Sequence, residues 1–231
     1  MSLKLLALDT STEACSAALS IDGEITQRYQ LAPREHTHLI LGMIESLLHD
    51  AGLKPSEIDV MSFARGPGSF MGIRVAAGVV QGIAFAHSIP VVPVSTLAAL
   101  ASVAMEETGE TRVLAAIDAR MKEVYWGAYQ RSESGQVELL GKECVTAPDK
   151  APIPGQGEWV TAGTGWGSYG DVMKPTLGDR CITSLDECFP SAAAIAKLAV
   201  DLYKNGAAVP AGEAVPVYLR DNVASKPKSA I

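Results

Sequence analysis

The sequence predicts a duplicated α/β fold of two lobes, each a mixed sheet flanked by helices. Three observations predict it. Leu5-Leu6-Ala7-Leu8-Asp9 is an apolar strand ending in an acid, and Val113-Leu114-Ala115-Ala116-Ile117-Asp118 repeats it about half a chain later. Each copy runs through a polar turn into a second strand, Ala14 to Ile21 in the first and Val124 to Gln130 in the second. Between the copies, stretches with apolar residues at helical spacing alternate with short apolar runs, as layered helices and strands require.

The elements follow in order. Asp22-Gly23 is a two-residue hairpin signal that returns the chain through Glu24 to Leu31. Leu39, Ile40, Met43, Ile44, Leu47 and Leu48 form one helical stripe ending near Gly52. Pro55-Ser56-Glu57 marks a turn, and Ile58 to Ala64 reads as a strand delivering Gly66-Pro67-Gly68-Ser69 to a second helix, roughly Phe70 to His87. Val91 to Val94 is a short strand, and Ser95 or Thr96 caps a helix to about Glu107. Glu106 to Thr111 separates the repeats, giving lobes at 1–108 and 109–231. In the second lobe Ala147 to Gly157 reads as a surface loop, Trp159 to Ala162 as a strand, and Gly163 to Gly167 as a loop. Ser191 to Lys204 is a helix, the C-terminal segment of the second lobe can pack back on the first, and the tail from Ser225 is expected to fray.

Composition narrows the function. The chain has 231 residues, 48% hydrophobic and 19% charged, so disorder is excluded and apolar surface is left for an oligomer. A net charge of −7 and scattered Lys/Arg argue against a chain that grips a nucleic-acid backbone unaided. The four cysteines lack metal or redox spacing and are expected as reduced thiols. The start of the chain shows no signal-peptide pattern, and Arg74, Gln81 and His87 interrupt the one long weakly charged stretch. A soluble, cytoplasmic protein is the expectation.

The chemistry-bearing residues each have two readings. Asp9 and Asp118, at equivalent strand ends, can flank the phosphates of a nucleotide, or each can cap its own turn, and the second is favoured on residue type. Gly66, Gly68 and Ser69 open a helix where backbone N–H groups can accept an anion, yet the string is neither a Walker A loop nor G-x-G-x-x-G. His36 and His38 lack zinc-site spacing and fit solvated or interface positions. No nucleophile–base signature stands out. The helix Phe70–His87 carries Gly72, Gly78 and Gly82, each costing roughly 1 kcal/mol against Ala, which dense packing or a subunit interface must offset.

Several strings together resemble a known family. Leu6-Ala7-Leu8-Asp9-Thr10-Ser11-Thr12, Arg34-Glu35-His36-Thr37, Gly66-Pro67-Gly68-Ser69-Phe70 with Gly72-Ile73-Arg74, Ala116-Ile117-Asp118-Ala119-Arg120 and Pro216-Val217-Tyr218-Leu219-Arg220 are similar, in order, to the signatures of the TsaB (YeaZ) family. Met71 departs from the small hydroxyl residue usual there. The resemblance implies a duplicated actin-like (ASKHA, RNase H-like) fold and a subunit without catalysis of its own. Its implied role is to support the paralogue TsaD, with the ATPase TsaE, in threonylcarbamoyladenosine (t6A) modification of tRNAs reading ANN codons.

The resemblance also implies a homodimer when the chain is alone and a heterodimer with TsaD otherwise. Its expected interface comprises His36, Leu39, Ile40, Met43, Ile44, Leu47, Arg74, Gly78 and Gly82. No metal and no cofactor would be required. Nucleotide contacts, with ATP or ADP at the complex interface, would fall to Asp9, Ser11, Gly66, Gly68, Ser69 and Asp118. Contact with tRNA would be only through the complex, and none with membrane. The segment Val94 to Leu100, comparable to the one carrying TsaD's metal-binding histidines, contains no histidine. The alternatives are an ATPase or small-molecule kinase of the same fold and, behind it, a glycoprotease-like peptidase.

Overall fold

The computed structural model describes residues 2–220. Two five-stranded sheets organise them. The first is built from β1 (Lys4–Asp9), β2 (Ala14–Ile21), β3 (Glu24–Leu31), β4 (Val60–Gly66) and β5 (Val91–Ser95) in the order β3-β2-β1-β4-β5. The second is built from β6 (Arg112–Asp118), β7 (Val124–Arg131), β8 (Val137–Thr146), β9 (Trp159–Ala162) and β10 (Cys181–Leu185) in the order β10-β9-β6-β7-β8. In each, an acid-tipped strand pairs antiparallel with its hairpin partner on one side and parallel with a later strand on the other. Two mixed sheets flanked by helices, with this repeated order, are the duplicated actin-like fold.

Alternation along β1 sorts its side chains between two cores. Leu6 and Leu8 face α1 (His36–Asp50) and α2 (Phe70–His87), while Leu5 and Ala7 face α5 (Ala192–Lys204). The helices do not respect the halves of the sequence. α3 (Thr96–Thr108) lays Leu97, Leu100, Ala101 and Ala104 on Val113, Ala115 and Val160 of the second sheet. In exchange α5, from the second half, covers β1, β2 and β4 of the first. The chain therefore crosses between the lobes twice, and a side-chain knot ties the crossing. Ser95 caps α3 by accepting from the Ala98 amide, and its hydroxyl donates to Glu143 on β8, which also accepts from Tyr129 on β7.

In the second lobe two elements, β8 and β10, carry no clear sequence signal, and a third, the helix over Thr164–Leu177, replaces an expected loop. β8 is an edge strand with exposed leucines and a left-handed Gly141, so it shows no clean alternation. α4 (Thr164–Leu177) begins where a loop was expected. It contains four helix-weakening residues (Gly165, Gly167, Gly170, Pro175) and a break at Tyr169, and is held by Trp166, whose indole N–H donates to Leu114 O at 2.8 Å. β10 is short and half exposed. The tail from Ser225 lies outside the described residues.

Candidate functional site

A cleft of about 820 Å³ opens between the lobes. Its walls are the β1–β2 turn (Ser11 to Glu13), the start of α1, the start of α2 (Pro67 to Ile73), the β6–β7 turn (Ile117 to Met121) and the C-terminal segment Val217 to Arg220. Parallel strands end here, which is where sheets of this kind offer ligand sites.

The two strand-end acids are both occupied locally. Asp9 is fully buried and does not line the cleft. Its Oδ1 accepts from the Ser11 amide at 2.8 Å and the Ser11 hydroxyl at 2.6 Å, while Oδ2 has no partner. Burial pushes its carboxyl above the ordinary range, against the opposing pull of those bonds and of His36. Asp118 does line the cleft, and its Oδ1 accepts from the Arg120 amide at 2.8 Å while Oδ2 pairs with Arg120 Nη1 at 3.0 Å. Arg120 also reaches across to Glu13 at 3.8 Å, linking the two lobes. It belongs to a run, Arg120-Met121-Lys122, with φ of 60°, 56° and 62°, a left-handed turn that costs about 1–2 kcal/mol per residue.

The Gly-Pro-Gly-Ser loop is drawn down onto the β1–β2 turn. Ser69 N–H donates to Ser11 O at 2.7 Å, and Ser69 Oγ caps α2 through Gly72 N–H. Gly68 and Gly72 are glycines because a Cβ would overlap the Ser11 and Thr10 carbonyl oxygens. Thr10 inserts into α2, its hydroxyl donating to Gly72 O at 2.6 Å and accepting from Ala76 N–H at 3.1 Å. Gly66, with φ of 108°, lies outside the cleft lining and lets Val217 pass, whose amide donates to Arg65 O at 2.7 Å. Of the six residues expected at a nucleotide, Ser11, Gly68, Ser69 and Asp118 line the cleft together.

The expected interface residues separate into three groups. Ile40, Ile44 and Leu47 are core residues at 1%, 5% and 1% exposure, packed on β1, β2 and β4, so they offer no surface to a partner. Leu39 and Met43 are half-buried beside them, and His36 turns into the cleft wall with Nε2 3.2 Å from Ala14 O. Arg74, Gly78 and Gly82 are exposed on α2, and a Cβ on either glycine would meet nothing within 4 Å. The same face carries Met71 at 64% and Phe85 at 81% exposure. Among the described residues α2 is also the one helix long and apolar enough to cross a membrane, with 33% of it buried inside the protein.

Sequence reading assigned no role to the segment that binds these parts together. Tyr218 accepts from Arg74 Nε at 2.8 Å, and the Arg74 guanidinium lies 3.6 Å over the Phe70 ring. Two residues on, Arg220 donates to Ala119 O at 3.0 Å and pairs with Glu123 at 2.5 Å. The segment thus straps α2 of one lobe to the β6–β7 turn of the other. No group of three or more His, Cys, Asp or Glu that could hold a metal occurs among the described residues.

The fold and cleft define an actin-like two-lobed α/β protein. Residues 24–228 match the family model described as "TsaD: tRNA N6-adenosine threonylcarbamoyltransferase". The chain is 42% identical to the tRNA threonylcarbamoyladenosine biosynthesis protein TsaB of Escherichia coli, across 97% of each chain. To the protein of the same description from Haemophilus influenzae it is 41% identical, across 97% of this chain and 96% of that one. The structure described as YeaZ from Pseudomonas aeruginosa superposes with a TM-score of 0.89 at 46% identity, over 94% of this chain and all of that one. The chain belongs to the TsaB/YeaZ family, paralogous to TsaD.

Proposed function

We propose that this chain is a non-catalytic partner subunit in threonylcarbamoyladenosine modification of tRNA, acting in the cytoplasm. It docks on the transferase TsaD, with TsaE joining, and forms a homodimer when alone. The exposed face of α2 carries this reading. At 100° per residue, Met71, Arg74, Val75, Gly78, Gly82 and Phe85 fall within an arc of about 100°. An apolar arc with two glycine notches one turn apart suits close approach of another helix and gives the glycine content of α2 a purpose.

ATP or ADP at the complex interface belongs to the same proposal, with Ser11, Gly68, Ser69 and Asp118 nearest the cleft. A kinase or ATPase acting alone has less support. Asp9 is withdrawn from the cleft and Asp118 is committed to Arg120, so neither acid is free to hold a metal-bound phosphate. The net charge of −7 fits a subunit that meets tRNA only through the complex.

Reconstituted t6A synthesis tests the reading. Supplied with ATP and an activated threonylcarbamoyl donor, TsaD and TsaE should modify tRNA when this chain is added and fail without it. Full modification in its absence, or transfer by the chain alone, would refute the partner role.

A further inference from the structure

Two polar groups at the seam between the lobes are buried without partners, the Arg65 Nε–H and the Thr96 hydroxyl. Thr96 is fully buried, and Arg65 makes no ion pair among the described residues, so its charge is unmatched. An interior donor that has given up water for nothing is among the costliest defects in a fold. Two at one place point to a third party that takes both bonds.

A bulge brings them to one place. Along β4, Val60 and Ala64 face the core under α5, while Met61 and Phe63 face α1 and α2. The ladder to β5 pairs Ala64 with Val94 and then Gly66 with Ser95, leaving Arg65 as the extra residue. At Gly66 an added Cβ would meet Val217 O and the Ile73 side chain, so Gly66 has turned to the α2 side. Arg65, one residue earlier, is thereby directed to the opposite side, where α3 packs on β4 and β5. Thr96 opens α3 on that side, three residues before Ala99 of the same core. Tyr129 locates the guanidinium independently. Burial and then Glu143 hold its phenol well above the ordinary range, against the pull of the Ser95 bond and of the Arg65 charge.

The chemistry of the place selects an anion. The Ser95 side chain caps α3 only at Ala98 N–H, which leaves the amides of Thr96 and Leu97 without a helical acceptor at the positive end of a 13-residue helix. Glu143, the carboxylate of the seam, is turned to Ser95 and Tyr129. Neither Arg65 nor Thr96 lines the cleft, so the occupant is enclosed and small rather than a phosphate ester. We propose that Arg65 and Thr96, with the first amides of α3, hold a chloride-sized monovalent anion between β4, β5 and α3. The site borders the Ser95–Glu143–Tyr129 knot, and Arg65 O accepts the Val217 amide of the strap, so the ion steadies the junction of the two lobes.

Thermal melts of the full chain in sodium chloride and in sodium gluconate at equal ionic strength test the proposal, because gluconate is too large to enter. Chloride should raise the wild-type midpoint by roughly 2–5 °C, and bromide should replace it. Thr96→Val should weaken this dependence and Arg65→Met should abolish it. In gluconate both variants should melt no lower than wild type, having lost an unpaired donor. Wild-type crystals soaked in bromide should show an anomalous peak within hydrogen-bond reach of Arg65 Nε, which reads the site even if a variant fails to fold. Equal wild-type midpoints in the two salts, or a chloride effect that survives both substitutions, would overturn the proposal. So would water, with no bromide, at that position.

Discussion

Asp9 and Asp118 close the same turn in the two halves of the molecule: each Oδ1 accepts from the backbone amide two residues on, Ser11 and Arg120, both at 2.8 Å. Beyond that contact they diverge. Asp118 pairs with Arg120 at the cleft, whereas Asp9 is sealed with Oδ2 unbonded. The duplicated backbone has kept the turn, and the surroundings have given the two carboxyls different properties.

Asp9 accordingly makes stability pH-dependent. Burial raises its carboxyl above the ordinary 3.8, so the folded protein keeps the proton to higher pH than the unfolded chain. Its contribution is full below pH 3.8 and is lost as pH rises through the folded value. Asp9→Asn does not titrate there, so the stability difference between variant and wild type should move in favour of the variant from pH 4 to pH 8. Urea denaturation across that range reads it, and a pH-independent difference would contradict the account.

The glycines of α2 should separate by role. Gly78→Ala meets nothing within 4 Å and should stabilise the folded monomer by about 1 kcal/mol while weakening association. Gly72→Ala overlaps the Thr10 carbonyl and must shift the first turn of α2, costing about 1–3 kcal/mol. Melts at concentrations below dimerisation, beside sedimentation above it, distinguish the two. Association of Gly78→Ala as tight as that of wild type would mean that Gly78 has no docking role.

Much of this was readable from spacing. The stripe of α1, the Asp22-Gly23 hairpin, and the repeated strand–Asp–turn unit are local signals, and the structure contains each of them. α4 was not legible because its glycines and Pro175 argue against a helix that only the buried Trp166 holds in place. Periodicity placed Ile40, Ile44 and Leu47 on one stripe with Leu39 and Met43 but could not say which edge meets the sheet. The strap was legible only as a family string, because Tyr218 meets Arg74 across 144 residues of sequence and no local pattern gives that string a structural role. The exchange of α3 and α5 between sheets is likewise a property of the tertiary fold alone.

The knot between the lobes should carry measurable energy. Tyr129 and Ser95 both donate to Glu143, and Gly127 leaves room for the Tyr129 ring, whose edge would lie 2.7 Å from a Cβ there. Tyr129→Phe removes one donor from a half-buried carboxylate and should cost about 1–3 kcal/mol in urea denaturation. An unchanged midpoint would show that this knot adds nothing measurable to the stability of the protein.

The thiols should differ in reactivity. Burial pushes Cys15 up to about 11 and Cys188 up to about 12, so both remain protonated and inaccessible at pH 8. Half-exposed Cys181 should take up N-ethylmaleimide first, followed by Cys144, whose thiol burial also raises. Peptide mapping of the labelled native protein checks the order, and early labelling of Cys15 or Cys188 would contradict the packing described.

The central claim is that this chain works by docking through the α2 face. Light scattering after size exclusion, on the chain mixed with TsaD, tests it most directly when wild type is run beside Gly78→Leu, which fills the notch without touching the core. The account predicts a complex with wild type, none with the variant, and closely similar melting of the two proteins. A complex that forms equally well with Gly78→Leu would contradict it.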